Sequence, residues 1–253
     1  MPTSKNRSEI SITQNSLLQI TIVMMFVTLM IFYISNCGQK LFFKKQYAQI
    51  YLINLPRNKD RLENFMKYYN DMIHKVPYHL VEAVDATKLE NTALFKQWHK
   101  NMNNSKTHNN YKALQLSVVK CLELAKLHNS EWTIICEDDA ELPRTINFKE
   151  IIQTYHDSNV IYLDSRNPGG DGVVPNCCMN CVMYHISVYD RFIKELNPIT
   201  SSHFRNYPQG YKAYNDHYIP WLITNVFKIK CSSHPIVNGH GFKSTIAELE
   251  SDR

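Results

Sequence analysis

Three carboxylates, Glu137-Asp138-Asp139, stand directly after the run Trp132-Thr133-Ile134-Ile135-Cys136. A short apolar, β-rich run of this kind reads as a buried strand. Adjacent carboxylates repel one another. At a strand end facing a cleft a divalent cation relieves that repulsion best, whereas on an open surface water does so and the triplet is only a solvated acidic turn. Side chains alternate along an extended segment. Glu137 and Asp139 can therefore face one ion while Asp138 turns to a ribose hydroxyl or a backbone partner. A hard oxygen site that keeps positions open for phosphates suits Mg²⁺ or Mn²⁺.

A second group of charges follows the first predicted strand. Arg57, Lys59 and Arg61 come just after Gln49-Ile50-Tyr51-Leu52-Ile53-Asn54-Leu55. Cations at the carboxyl end of a neighbouring strand can contact a nucleotide's phosphates. The alternative is a surface pair of Asp60 with Arg61. Other chemistries are missing. The chain has 7 glycines, with no G-x-G-x-x-G and no Walker loop, and neither H-E-x-x-H nor G-x-S-x-G occurs. Lys+Arg is 28 against Asp+Glu 23, a formal net charge of +5. With no long basic run, a nucleic-acid partner is not expected.

The elements that must position these residues alternate between strand and helix. Strands are predicted at 49–55, 78–84, 132–136, 160–163 and 181–185. Helices are predicted at 60–72, 111–128 and from a Ser187 cap to Leu196, with 216–224 a short helix or strand around Pro220. Residues 90–110 read as a loop or partly helical lid. This alternation implies an α/β sandwich with a mostly parallel sheet, in which a ligand sits beyond the carboxyl ends of the strands. The acidic triplet lies at such an end.

The amino-terminal part differs in kind. No charged residue occurs between Glu9 and Lys40, and Leu17 to Ile34 is almost wholly apolar. A helix of that length spans roughly 27 Å, close to a hydrocarbon thickness of about 30 Å. The expected organisation is a polar tail at 1–16, a transmembrane signal anchor at 17–35, a stem at 36–46 and a catalytic domain at 47–253. A buried core helix and a cleaved signal peptide are the alternatives. Flanking lysines lean towards a cytosolic C-terminal domain, but long domains translocate largely regardless of charge. Asn103-Asn104-Ser105 is a sequon that matters only if that domain is luminal. The cysteines number 7, so not all pair within one chain. Around Cys177, Cys178 and Cys181, with His185 beyond, a disulfide, buried thiols and a zinc site are the open readings.

Tyr51-Leu52-Ile53-Asn54-Leu55-Pro56-Arg57, then Asp60-Arg61 and Phe65, resembles the opening of glycosyltransferase family 25, the lipooligosaccharide and procollagen galactosyltransferase group. Val81-Glu82-Ala83-Val84-Asp85-Ala86 is similar to that family's A-V-D-G stretch. Ile134 to Leu142 is similar to its L-x-L-E-D-D-A segment. The resemblance covers roughly Gln49 to Ile246. It implies a GT-A-like nucleotide-sugar-binding fold and transfer with inversion of a hexose, galactose or glucose, from a UDP-sugar to a glycan or hydroxylated protein acceptor, with Mn²⁺ as cofactor and Mg²⁺ as substitute.

Carried over, Glu137 and Asp139 would hold the metal, with His240 between Gly239 and Gly241 as a further ligand. Asn54, Arg57, Arg61, Asp85, Ser117 and Asp138 would lie on the donor side. Inversion needs a base for the acceptor hydroxyl. The candidate is Asp216, with His217, His234 and His240 as competitors and Trp98, Tyr214 and Trp221 available to stack on a sugar. The implied place is a single-pass protein of endoplasmic reticulum or Golgi type with a luminal domain, or a cytosolic-facing one. Tyr111 to Val119 departs from the family's glycine-rich stretch: Ser117 is in place, but the glycines are absent and Val118 stands where a His is expected. The second function carried forward is therefore a catalytically degenerate member that binds glycans or proteins.

Overall fold

The computed structural model describes residues 19, 21–31, 46–89, 106–175, 179–197, 200–203 and 215–239, the side chains of 46, 106–109, 215 and 216 excepted. It falls into two units, Met1–Lys44 and Lys45–Arg253. In the first, residues 21–31 are helical and exposed throughout. Thr28 returns its hydroxyl to the Met24 carbonyl at 2.8 Å. Among the described residues no helix is long and apolar enough to cross a membrane. The described run is shorter than the roughly 20 residues a span requires, and the ends of the expected 17–35 anchor lie outside the described residues.

The second unit is built on strand β1 (Gln46–Asn54), whose side chains feed two cores by simple alternation. Tyr51 and Ile53 enter one core, with helix α3 (Lys106–Leu127), α5 (Tyr189–Leu196) and α6 (Asn215–Trp221) packed over it. Ile50 and Leu52 enter the other, against α1 (Lys59–Asp71) and α4 (Phe148–Thr154). β3 (Ser130–Glu137) divides in the same way, Ile135 to the first core and Trp132, Ile134 and Cys136 to the second. A strand buried on both faces must be apolar along its length, which is why Gln49–Leu55 and Trp132–Cys136 stand out in the sequence.

The remaining strands are β2 (Tyr78–Glu82), β4 (Ala140–Glu141), β5 (Val160–Asp164), β6 (Gly170–Asp171), β7 (Cys181–His185) and β8 (Cys231–Gly239), and α2 (Ala86–Leu89) is a single turn. The sheet order is β2-β1-β3-β7-β5-β8-β4, with β6 paired to β8. β1 is parallel to both β2 and β3, and β5 to β8. β7 is antiparallel to β3 and to β5, so β1, β2, β3, β5 and β8 share one direction with β7 inserted against them. The expected mostly parallel sheet is thus mixed α/β with a largely parallel centre.

Local expectations were adjusted in two places. α5 starts at Tyr189 rather than from a Ser187 cap. Ser187 lies in a 3₁₀ turn, Ile186–Val188, and is engaged by the His185 ring, whose Nδ1 accepts from the Ser187 amide. α6 contains Pro220 and runs into a π-helical turn, Leu222–Phe227. Cys121, Cys136, Cys181 and Cys231 are buried free thiols, while Cys177 and Cys178 lie outside the described residues. The zinc reading does not hold for its described members. Cys181 faces Cys136, with Sγ atoms 3.2 Å apart, and His185 is occupied with Ser187.

At the amino-terminal ends of the strands lies a partly buried polar cluster. The buried Tyr51 hydroxyl lies 2.9 Å from His128 Nδ1 and 3.3 Å from Ser130 Oγ. The His79 ring stacks on Tyr51 and lies against the His128 ring. Burial, and then the neighbouring His128, lower the pKa of His79 below the ordinary 6.5. Unfolded chains therefore take up a proton at a pH where the folded protein resists it. Stability contributed by neutral His79 is present above the unfolded pKa and is lost as pH falls through it. The unfolding temperature is expected to drop between about pH 7.5 and pH 5.5, and His79→Gln to flatten part of that slope; calorimetric melts across this range check it.

Candidate active site

The carboxyl ends of β1, β2 and β3 meet at a small open cleft of about 130 Å³. Its walls are Ile53 and Leu55 from β1 and its exit, Ala83 and Val84 after β2, Leu114 and Ser117 from α3, and the acidic triplet after β3. Apolar side chains share this lining with a polar set of Asn58, Arg61, Ser117 and the three carboxylates.

The polar set depends on a tight turn. After Asn54 the chain turns at Pro56, the Asn58 amide donating to the Leu55 carbonyl at 2.8 Å, and α1 begins at once. That places Asn58 and Arg61 opposite the end of β3. Asn58 Nδ2 donates to Asp138 Oδ2 at 3.3 Å, and Arg61 Nη1 donates to Asp138 Oδ1 at 3.4 Å. Arg61 thus pairs with Asp138. Burial pushes the Asp138 pKa up, and the Arg61 charge and the two hydrogen bonds pull it only part of the way back.

Asp139 is different. Its Oδ1 is buried and has no hydrogen-bond partner. Burial and then the Asp138 charge raise its pKa, against the opposing pull of Arg61 and Arg166. An orphaned carboxylate oxygen at the cleft edge is the atom here best suited to a cation. Glu137 also lines the cleft. Even so, among the described residues no group of three or more His, Cys, Asp or Glu side chains could hold a metal ion. The described part of the proposed metal site is therefore incomplete. His240, its third expected member, lies outside the described residues.

Of the expected donor residues, Arg61, Ser117 and Asp138 line the cleft. Ser117 is engaged twice, accepting from the Val84 amide at 2.9 Å and donating to the Ala113 carbonyl at 2.8 Å. It pins the cleft wall after β2 to α3. Where the resemblance expects a glycine-rich stretch, α3 continues unbroken through 111–119, as the absence of glycine there allows. Arg57 and Asp85 pair with each other at 2.5 Å. Burial works to raise the Asp85 pKa, but hydrogen bonds from Thr87 and Arg57 outweigh it and hold the carboxyl below its usual range. The pair ties the loop after β1 to the loop after β2, outside the cleft lining.

Asn54 does not line the cleft either. It is 5% exposed with Oδ1 unpartnered, and by strand alternation it faces away from Ile53 and Leu55. Asp216 lies in α6, its side chain outside the described residues. His217 is also on α6, while His234 is half-buried on β8 beside Tyr155. Trp221 stacks on Tyr218 with ring centroids 6.0 Å apart, so it is used in packing. Trp98 and Tyr214 are outside the described residues. Asn58, Asn180 and Arg166 were missed. Asn58 stood inside the recognised motif, whereas Asn180 and Arg166 carry no local sign of their place.

Residues 47–167 match the family model described as Glycosyltransferase family 25 (LPS biosynthesis protein). This stretch includes β1 to β5, and so the cleft and the acidic triplet. The chain holds a glycosyltransferase family 25-like domain. No curated protein matches it. Among solved structures the domain is similar to a glycosyltransferase involved in the glycosylation of the major capsid of PBCV-1, at 8% identity and a TM-score of 0.46, covering 81% of this chain and 98% of that one. It is also similar to A197 from STIV, at 11% identity, TM-score 0.41, and 79% and 87% coverage. The glycosyltransferase GlyE in Streptococcus pneumoniae TIGR4, in its apo form, is similar at 10% identity and TM-score 0.42, with 75% and 45% coverage.

In this family 25-like domain the two wall contacts differ in weight. Ser117→Ala strands the Val84 amide beside the cleft and is expected to cost about 1–3 kcal/mol of stability. Arg57→Ala breaks an ion pair whose arginine side chain is 50% exposed and is expected to cost less than about 1 kcal/mol. Urea denaturation of the two variants measures both.

Proposed function

We propose that the protein transfers a hexose from a UDP-sugar to a glycan or hydroxylated protein acceptor, with inversion at the anomeric carbon. The observation that carries this is the cleft at the carboxyl ends of β1–β3, lined by apolar side chains together with Arg61, Asp138 and Asp139, one oxygen of which is unpartnered. Ile53, Leu55, Val84 and Leu114 would bind the base. Asp138, oriented by Asn58 and Arg61, would receive a ribose hydroxyl. Asp139, with Glu137 and His240, would hold Mn²⁺ or Mg²⁺, which when bound supplies the positive charge that a departing diphosphate needs. Asp216 would take the acceptor proton.

The second reading, a catalytically degenerate binding module, is favoured by one observation: the described residues bring no three metal ligands together. Donor chemistry separates the two. Full-length protein in detergent, given Mn²⁺ and a panel of UDP-sugars, is expected to release UDP slowly without acceptor, and Asp139→Asn to reduce that release by about 100-fold. Release by neither protein, with UDP binding unaltered by Asp139→Asn, would favour the binding module.

Residues 17–35 are proposed as a signal anchor that holds the domain in a luminal compartment. The exposed apolar helix at 21–31 supports this. On expression in a eukaryotic host, glycan at Asn103 removable by endoglycosidase is the expected outcome, and an unmodified Asn103 in membrane-bound protein would place the domain on the cytosolic side.

A further inference from the structure

Across the acidic turn from the cleft, a second charged group is built into the sheet. β5 ends on Asp164, which is fully buried. Its carboxylate accepts from the Arg166 amide at 2.9 Å, from Arg166 Nε at 2.9 Å and from Arg166 Nη2 at 2.6 Å. Arg166 Nη2 also donates to Asn180 Oδ1 at 2.7 Å. Asn180 is itself joined to the triplet, since the Glu137 amide donates to its carbonyl at 2.8 Å.

The end of β8 closes the group from the other side. Gly239 pairs with Ala140, the residue after the triplet. A Cβ on Gly239 would lie 2.4 Å from Asn180 Nδ2 and 3.9 Å from Arg166 Nη2. Arg166 is therefore tied through Asn180 to the start of Glu137-Asp138-Asp139 and lies close to Gly239, the partner of Ala140 at its end, while its side chain stays 51% exposed.

A carboxylate as buried as Asp164 is costly to hold even with a charged partner, and an apolar residue would fill the same space at less cost. What this one achieves is placement. It fixes a guanidinium, with little left to order on binding, at the rim where Asp139 feels both its charge and that of Arg61. The planar fork suits phosphate oxygens.

We propose that Arg166 is a binding residue for the diphosphate of the sugar-nucleotide donor, with Asp164 and Asn180 as the residues that position it. This rests on the donor reading given above. Its test is calorimetric titration of the full-length protein with uridine and with UDP, each with Mn²⁺. Arg166→Gln is expected to weaken UDP by about tenfold and to leave uridine within about twofold, with Arg166→Lys recovering part of the loss.

Asp164→Asn combined with Arg166→Gln removes the buried charge together with its partner. It should show the same selective loss while keeping a near-native melting temperature. UDP binding in this double variant within about twofold of the wild type would overturn the assignment, as would a wild type that binds UDP no more tightly than uridine. A wild type that binds neither would overturn the donor reading and this assignment with it.

Discussion

The contact of Asp138 with Asn58 and Arg61 is the constraint on which the site depends. A carboxylate only 7% exposed cannot stay charged without partners. Its two partners come from the turn and first helical residues after β1, so the end of β3 and the start of α1 are locked in one arrangement. Everything at the cleft then follows. With Asp138 engaged inward, Asp139 is left with an unpartnered oxygen, and Glu137 continues the alternation of β3 into the cleft wall. The like charges of this turn are tolerated because Arg61 stands on one side and Arg166 on the other.

The two ends of the sheet have different roles. At the amino-terminal ends, polar groups are paired with each other, as with Tyr51, His79, His128 and Ser130. At the carboxyl ends, the loops gather charged groups and cross-link one another through Arg57–Asp85, Ser117–Val84 and Asp164–Arg166–Asn180. The inserted antiparallel strand β7 makes the last of these joints. Because it begins where β3 ends, it brings Asn180 beside Glu137, which a wholly parallel sheet would not do.

How far this was legible in the residues varies by element. β1 and β3 were plain, since strands buried on both faces must be continuous apolar runs. α3 was plain from its apolar spacing, although the resemblance pointed to a glycine-rich stretch in the same place. The donor-side residues divided by geometry. Arg61, Ser117 and Asp138 reach the cleft, Arg57 and Asp85 spend themselves on each other, and Asn54 faces away because its neighbours Ile53 and Leu55 face in. Motif membership names a neighbourhood, but the side of the strand decides which members line the site.

The amino-acid sequence by itself determined the apolar segment near the amino terminus, the alternation of strands and helices, and the place of three carboxylates at a strand end. These are local properties, set by periodicity and by neighbouring residues. Tertiary structure alone decided that Asp138 is buried with partners while a buried oxygen of Asp139 has none, that β7 runs against its neighbours, and that Arg166 and Asn180 lie beside the acidic turn. Those outcomes depend on which side chains meet across strands far apart in the chain, and burial assigns each charge its partner only once they have met.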